Sequence, residues 1–458
     1  MTRPPPLAPL LIAAALFLSG CSPSQPAPTP AVNGNPTATF QPPPGSEEEA
    51  ETGDPEPAHE QPDELGPGDP LDELSFRNGW ARIPFNFTVF GGYGADQMND
   101  VAAGGPGVVA VGFEVRDGDI NAAAWYSPDA LGWFRVTESP DLRGSGVQTI
   151  NAVATGTSRL IAVGMEKIGD DENAAVWAST DGVLWTRIRA GNGVFGDTNS
   201  QVMEDVIAVG DGFVAVGVEK TDAEVRGAVW TSPDGTAWQR VPHSEGSFGG
   251  TTRFTTLKAI APLGSSLLAV GSVEPVDDID VDAAAWLSHD GGATWIPVDA
   301  PETSLGDSGP VRFQRVYGVV ESGAGWFMVA TEQNLAGSPS GEFVNGLIWH
   351  SSDGSEWSRI FDHKPDLYQQ SMLDILASSL GLFAAGYEVL GDQVQAAVWF
   401  SEDGSTWSQT PRSEAVFGGS GIQHIRALAE AGPGIVAVGI TTENEEQDAA
   451  VWIFVPGR

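Results

Sequence analysis

The chain has 458 residues, with 22 Lys and Arg against 61 Asp and Glu for a net charge of −39. No stretch is basic enough to give the electrostatic footprint of a nucleic-acid binder, so duplex DNA and RNA are excluded as expected partners. Its 57 Gly, 33 Pro, 15 Trp and 41% apolar residues suit a turn-rich β protein packed on aromatic rings, and argue against a helical or wholly disordered chain.

Near the start, Arg3 precedes Leu10 to Leu18, an apolar run of nine residues that is too short to cross a bilayer and fits the core of an export signal. Leu18-Ser19-Gly20-Cys21 follows, and Cys21 is the only cysteine, so no disulfide framework claims it. This tetrapeptide resembles the lipobox of bacterial lipoproteins. The resemblance implies a signal peptide over 1–20, a lipidated Cys21, and an extracytoplasmic protein that meets the membrane through its lipid anchor only. From Ser22 to Ser75 the chain is rich in proline, carries twelve acids and no Lys or Arg, and holds almost no large apolar residue. Such a segment cannot offset chain entropy by burial, so 21–75 reads as a disordered tether.

One pattern recurs from Phe76 to Arg458. A strand like Phe213 to Glu219 is followed by a polar loop, a strand like Gly227 to Thr231, and a turn like Ser232-Pro233-Asp234-Gly235 that leads to a Trp. The third-strand tryptophans are Trp125, Trp177, Trp230, Trp286, Trp349, Trp399 and Trp452; those after the turn are Trp133, Trp185, Trp238, Trp295, Trp357 and Trp407. The missing member of the second series lies at the other end, where Gly79-Trp80-Ala81-Arg82-Ile83 matches Leu184-Trp185-Thr186-Arg187-Ile188. The folded region therefore begins and ends in mid-repeat, as a ring closed by pairing its chain ends requires. Alternating apolar and polar residues with Gly-rich connections predict four short strands per repeat. The expected fold is all-β: a seven-bladed β-propeller over 76–458, with an N-terminal strand completing the last blade.

The turns Ser179-Thr180-Asp181-Gly182, Ser232-Pro233-Asp234-Gly235, Ser288-His289-Asp290-Gly291, Ser352-Asp353-Gly354 and Ser401-Glu402-Asp403-Gly404 resemble the Asp-box, or BNR repeat, of sialidases and other propellers. Only the turn at Asp290 has the full length, and Ser127-Pro128-Asp129-Ala130 displaces the Gly. Asp and Ser side chains can satisfy turn amides while Gly supplies positive φ, so these acids read as structural. The resemblance implies that the turns face away from any ligand.

Two rings of residues are expected on the opposite, channel face. The first, an acidic ring, is Glu114, Glu166, Glu219, Glu274, Glu332 and Glu388, with Thr441 in the seventh repeat. Gathered carboxylates need a cation, a basic partner or charge pairing within each blade, and repetition favours the last. Whether a metal binds there is open from sequence; Asp117-Gly118-Asp119, Asp170-Asp171-Glu172 and Asp277-Asp278-Ile279-Asp280 lack calcium-loop spacing, and no cofactor is implied. The second ring, counted back 12 or 13 residues from the Gly or Ala of the second strand, is Asp100, Asn151, Asp205, Lys258, Tyr317, Asp374 and Arg426. Its variation suits a ligand surface or a solvent-filled channel.

The preferred reading is a monomeric, surface-anchored, non-catalytic module that binds a cationic protein or surface polymer. Removing Arg3 and the tether acids leaves 21 basic and 49 acidic residues, a net −28, which would steer such partners. A sialidase-like glycoside hydrolase and an assembly factor for a membrane complex are the alternatives. Sialidases use a Tyr nucleophile activated by a Glu, an Asp acid and base, and three Arg on the substrate carboxylate. Arg82-Ile83-Pro84 resembles that family's Arg-Ile-Pro element, but Arg135, Arg187, Arg240 and Arg359 share its repeat position. Tyr317 alone of five tyrosines falls on the channel ring, with no assignable Glu partner or Arg triad, and the family has six blades against the seven counted here.

Overall fold

The computed structural model describes residues 70–458 apart from short stretches at 170, 192, 197–198, 222–223, 244–246, 250–251, 277–279, 299–304, 306–311, 335–342, 363–368 and 444–445. The expected signal peptide, Cys21 and the tether up to residue 69 lie outside the described residues. Residues 70–75 do not behave as tether, because Pro70–Glu73 forms a 3₁₀ turn and Leu71 and Leu74 pack on the core. Ordered packing thus begins a few residues before the expected start at Phe76.

The described chain is mostly strand, as expected. β1 (Trp80–Arg82) is followed by β2 (Asp96–Gly104), β3 (Gly107–Arg116), β4 (Asp119–Ser127) and β5 (Phe134–Arg135). Next come β6 (Val147–Thr155), β7 (Leu160–Ile168), β8 (Asp171–Ser179) and β9 (Thr186–Ile188), then β10 (Ser200–Val209), β11 (Gly212–Lys220), β12 (Val225–Ser232) and β13 (Gln239–Arg240). β14 (Arg253–Leu263), β15 (Ser266–Pro275), β16 (Asp282–Ser288) and β17 (Ile296–Pro297) precede β18 (Arg312–Ser322), β19 (Gly325–Asn334), β20 (Phe343–Ser351) and β21 (Ser358–Asp362). The last are β22 (Gln369–Ser378), β23 (Gly381–Leu390), β24 (Gln393–Ser401), β25 (Ser408–Gln409), β26 (Gln423–Ala431), β27 (Gly434–Glu443) and β28 (Glu446–Phe454).

These strands form five four-stranded sheets and one of eight. The larger sheet is two four-stranded antiparallel halves, β2 to β5 and β6 to β9, joined by the single parallel pair Ile120↔Val147. β1 is the fourth strand of the sheet made by β26, β27 and β28, in the register Trp80↔Phe454, Ala81↔Ile453, Arg82↔Trp452.

Middle strands such as Val108-Val109-Ala110-Val111 are apolar on both faces because each sheet is covered on both. All but one of the buried clusters are shared by two units consecutive in the chain, as where Val109 and Val111 meet Ile150 and Val153. One cluster joins the first sheet to the last, bringing Met98 and Val101 against Ala427, Val436 and Val451. Trp125, Trp177, Trp230, Trp399 and Trp452 are fully buried in these layers.

The Asp turns have the expected chemistry. At Asp181 the carboxylate Oδ1 accepts from Val183 N at 2.9 Å and Leu184 N at 2.8 Å, Ser179 Oγ accepts from Gly182 N, and Trp185 Nε1 donates to the Gly182 carbonyl. Backbone donors at Ala237 and Thr236 bring the Asp234 carboxyl down to about 2. In the Asp353 turn the serine that bonds is Ser351, not the expected Ser352. Where the Gly is displaced, Ala130 takes positive φ, 67°. All these turns join third to fourth strands, at the end of each sheet opposite to where the first strand enters.

The pairing of β1 has a direct test. Trp80 is 1% exposed and packs on Phe383, Phe417 and Phe454. Trp80→Ala is expected to cost about 3–5 kcal/mol in chemical denaturation, the range for emptying a buried aromatic site. A variant as stable as the parent would show that β1 holds nothing.

Candidate functional site

All seven first strands, β2, β6, β10, β14, β18, β22 and β26, carry a one-residue bulge at the same place. The residue skipped by the pairing is Asn99, Asn151, Glu204, Lys258, Tyr317, Leu373 and Arg426 in turn. Asp100, Asp205 and Asp374 are each one position later, alongside Ala152, Ala259, Gly318 and Ala427. The second ring expected from sequence is therefore corrected: it merges two rows, because counting residues along a bulged strand slips by one. Asn151, Lys258, Tyr317 and Arg426 belong to the bulge row, and Glu204 replaces Asp205 in it.

Side chains of the bulge row reach across to neighbouring first strands. Asn99 Nδ2 donates to the Ile150 carbonyl at 2.7 Å and Asn151 Nδ2 to the Met203 carbonyl at 2.9 Å. Lys258 Nζ meets Glu204 Oε2 at 2.5 Å. Burial lowers the Arg426 guanidinium, and the groups acting against that shift are Tyr317, Glu204 and Tyr387, which places all three within electrostatic reach of its charge. Beside them, the rings of Tyr387 and His424 stack 4.1 Å apart, and burial drives the imidazole down to about 3, so it is neutral.

The three aspartates pin neighbouring sheets together. Asp100 accepts from Val101 N at 2.8 Å and from Val153 N of the next first strand at 2.7 Å. Asp205 does the same with Val206 and Ile260 N, and Asp374 reaches Leu428 N at 2.7 Å. The facing residue is small in each case, Ala152, Ala259 or Ala427, which leaves room for the carboxyl. Although these groups are partly reachable by solvent, burial raises Asp100 to about 7 and Asp205 to about 6, and raises Asp374 well above the usual range. Mutual repulsion adds to it: Asp205 acts on Asp100, and both act on Asp374.

The expected acidic ring is balanced sheet by sheet. Glu114 meets Arg143, Arg135 and Arg116, and Glu166 meets Arg187 at 2.9 Å. Glu219 meets Arg226 and Arg240, Glu332 meets Arg359, and Glu388 meets Arg412. Burial works to raise the Glu219 carboxyl, but Arg240 and Arg226 outweigh it and bring it down to about 2. Arg135, Arg187, Arg240 and Arg359 also lie over Trp125, Trp177, Trp230 and Trp349, at 5.2, 4.4, 5.0 and 5.4 Å from the ring centres. Thr441 accepts from Gln423 in the last sheet.

Glu274 is a correction, since register puts Val273 at that position and Glu274 is exposed. The same sheet pairs Pro297 with Trp286 where five others pair an Arg, so it lacks both carboxylate and guanidinium; Trp399 pairs Gln409, and there the retained Glu388 meets Arg412 instead. Among the acidic loops, Asp170 and 277–279 lie outside the described residues. Among the described residues, no group of three His, Cys, Asp or Glu side chains comes together to hold a metal ion.

Sequence reasoning missed Asn99, Glu204, Tyr387 and His424 as members of this region. Glu204 was adjacent to a chosen residue, and placing the bulge opposite the second-strand Gly would have found it.

No family model matches the chain, and no curated protein matches it. Among solved structures, it is similar to the α-L-arabinofuranosidase Arb93A of Fusarium graminearum with arabinobiose, at 12% identity and TM-score 0.44, over 66% of this chain and 92% of that one. It is also similar to Trypanosoma rangeli sialidase as a covalent intermediate, at 12% identity and TM-score 0.41, over 73% of this chain and 58% of that one. The preferred sequence reading, a surface-anchored non-catalytic binding module for a protein or surface polymer, is corrected by these findings. The similar structures are glycoside hydrolases, which agrees with its alternative.

The raised carboxyls predict a pH dependence. A native pKa above the unfolded value means the folded state holds more protons, so stability is greatest below about 4 for these groups and is lost as pH rises towards 7. The groups drawn down to about 2, such as Glu219, act oppositely, but only below about 4. Burial of His424, held near 3, works the other way between about pH 5 and pH 7, so the aspartate contribution is read as a difference. From pH 5 to pH 8 the thermal midpoint of the parent should fall relative to that of Asp205→Asn, and a parent midpoint that does not fall relative to the variant would contradict the burial argument for Asp205.

Proposed function

We propose that the chain is a sialidase-like glycoside hydrolase built as a propeller of seven four-stranded units, counting the halves of the eight-stranded sheet separately, with β1 closing the ring. The reading is carried by one observation: bulges on separate strands bring Tyr317, Glu204, Lys258 and Arg426 to one level, one residue away from carboxyls that hold protons near neutral pH. Breaking a glycosidic bond needs a nucleophile or an activated water at the sugar and a proton for the leaving oxygen.

In this proposal Tyr317 is the nucleophile: its hydroxyl gives its proton to the Glu204 carboxylate and its oxygen bonds the sugar carbon as the glycosidic C–O bond breaks, with the positive charge of Arg426 stabilising the developing phenolate. Asp100 or Asp205 protonates the leaving oxygen, because a carboxyl titrating near 6 or 7 is still partly protonated where the enzyme works. Water then cleaves the tyrosyl–sugar bond, returning one proton to that Asp while Glu204 gives its proton back to Tyr317. Lys258 and Arg426 orient the sugar. We further propose that Cys21 is lipidated and holds the enzyme outside the cytoplasmic membrane, where exported polysaccharides are its substrates.

The test is a panel of fluorogenic glycosides, sialosides and arabinofuranosides included, with the full chain as enzyme. Turnover of at least one is expected, and Tyr317→Phe should lower kcat by about 100-fold or more with an unchanged circular dichroism spectrum. A panel without turnover would retire the hydrolase reading.

A further inference from the structure

The loop from Ile83 to Ala95, between β1 and β2, differs from its counterparts. Where the equivalent loops are described, the large apolar residue at this point is buried: Leu142, Phe195, Phe248, Leu305 and Phe417 are each at most 9% exposed. Here Phe90 fills that role at 3% exposure. The same loop additionally presents Phe85 and Phe87, each 47% exposed, and Tyr93, 86% exposed. The rings of Phe87 and Tyr93 meet edge to face, 5.7 Å apart.

The platform is held in place from below. Trp125 Nε1 donates to the Val89 carbonyl at 2.7 Å, and the guanidiniums of Arg116 and Arg135 both donate to the Gly91 carbonyl. Asn86 Oδ1 accepts from Thr88 N and starts the short turn Phe87–Phe90. Gly91 cannot be replaced without displacing Phe85, whose ring would lie 2.8 Å from an added Cβ. Exposed aromatic rings gathered and fixed in this way mark a binding surface. The chain runs from Tyr93 directly into β2, whose bulge at Asn99 is six residues on, or about 20 Å at the rise of a strand. Several linked sugars cover that distance.

We infer that Phe85, Phe87 and Tyr93 form an accessory subsite on which the sugar rings of a neutral polysaccharide stack while a neighbouring part of the same polymer occupies the bulge site. This rests on the hydrolase reading for the second half of that statement. The occupant is neutral because the trio carries no charge and the unit around it has a net −28, which repels polyanions. It is a saccharide because the apolar faces of sugar rings match exposed aromatic faces, while the hydroxyls at their edges stay in water.

Native electrophoresis of the full chain through gels containing arabinan, xylan or β-glucan tests the subsite without requiring turnover. Retardation by at least one polymer is expected, with affinity about tenfold weaker in the Phe87→Ala, Tyr93→Ala double variant. Hydrolysis of a small fluorogenic glycoside should be equal in the two proteins, which also reports that the variant is folded. Unretarded migration of the parent in every polymer gel, or equal retardation of parent and variant, overturns the subsite while leaving small-glycoside hydrolysis to stand. Parent molecules that self-associate in light scattering, and cease to do so in the variant, would overturn it in favour of a contact between copies of the chain.

Discussion

The bulge in each first strand sets the geometry on which the rest depends, and in six sheets it faces a glycine. A Cβ at Gly112, Gly164, Gly217, Gly271, Gly386 or Gly439 would lie 1.8 to 2.0 Å from the carbonyl oxygen of the facing first strand. In these six sheets the approach leaves no room for a side chain; in β19 Ala330 stands at this place, and β18 bulges opposite it all the same. The bulge turns one extra side chain per sheet to the level where neighbouring first strands meet. Asp100, Asp205 and Asp374, immediately after the bulge, then reach the next strand's amides and lock the sheets at that level.

A protein this acidic has to place its charges with care. Its few arginines are spent on the buried glutamates at the ends of second strands, and four of them at the same time cover a tryptophan face. Each Glu–Arg–Trp stack pairs a carboxylate with a guanidinium that also covers an indole within one sheet. The sheet of β14 to β17 has neither partner, with Val273 and Pro297 at these places, whereas Glu388 stands in a sheet with Gln409 and meets Arg412 instead. Repetition therefore belongs to the framework, and chemistry belongs to the positions that vary.

Those positions are few. The bulge row runs through amide, carboxylate, ammonium, phenol, alkyl and guanidinium groups, while the glycine across from it scarcely changes. Tyr317, Arg426, Tyr387 and His424 all come from the last three sheets, so the row has a distinct cationic and aromatic side. The loop before β2 adds a second departure from the repeat, an aromatic surface on the end of the sheets where the first strands enter.

Much of this was legible from residue order. Trp spacing marked the four-stranded units, Asp-Gly turns marked the connections between third and fourth strands, and the match between Trp80 and Trp185 foretold that β1 pairs with β28. Each of these is a local property, a turn preference or a period along the chain, and needs no knowledge of neighbours. The site was legible only to within one residue, because a bulge inserts a position that leaves no composition mark and flips the side-chain alternation after it. Tertiary structure alone decided that Glu204 rather than Asp205 joins Tyr317 and Arg426, that Glu274 falls out of the acidic row, and that Tyr387 lies against His424. Those are relations between residues on different strands, well separated in the chain, set by register and sheet packing.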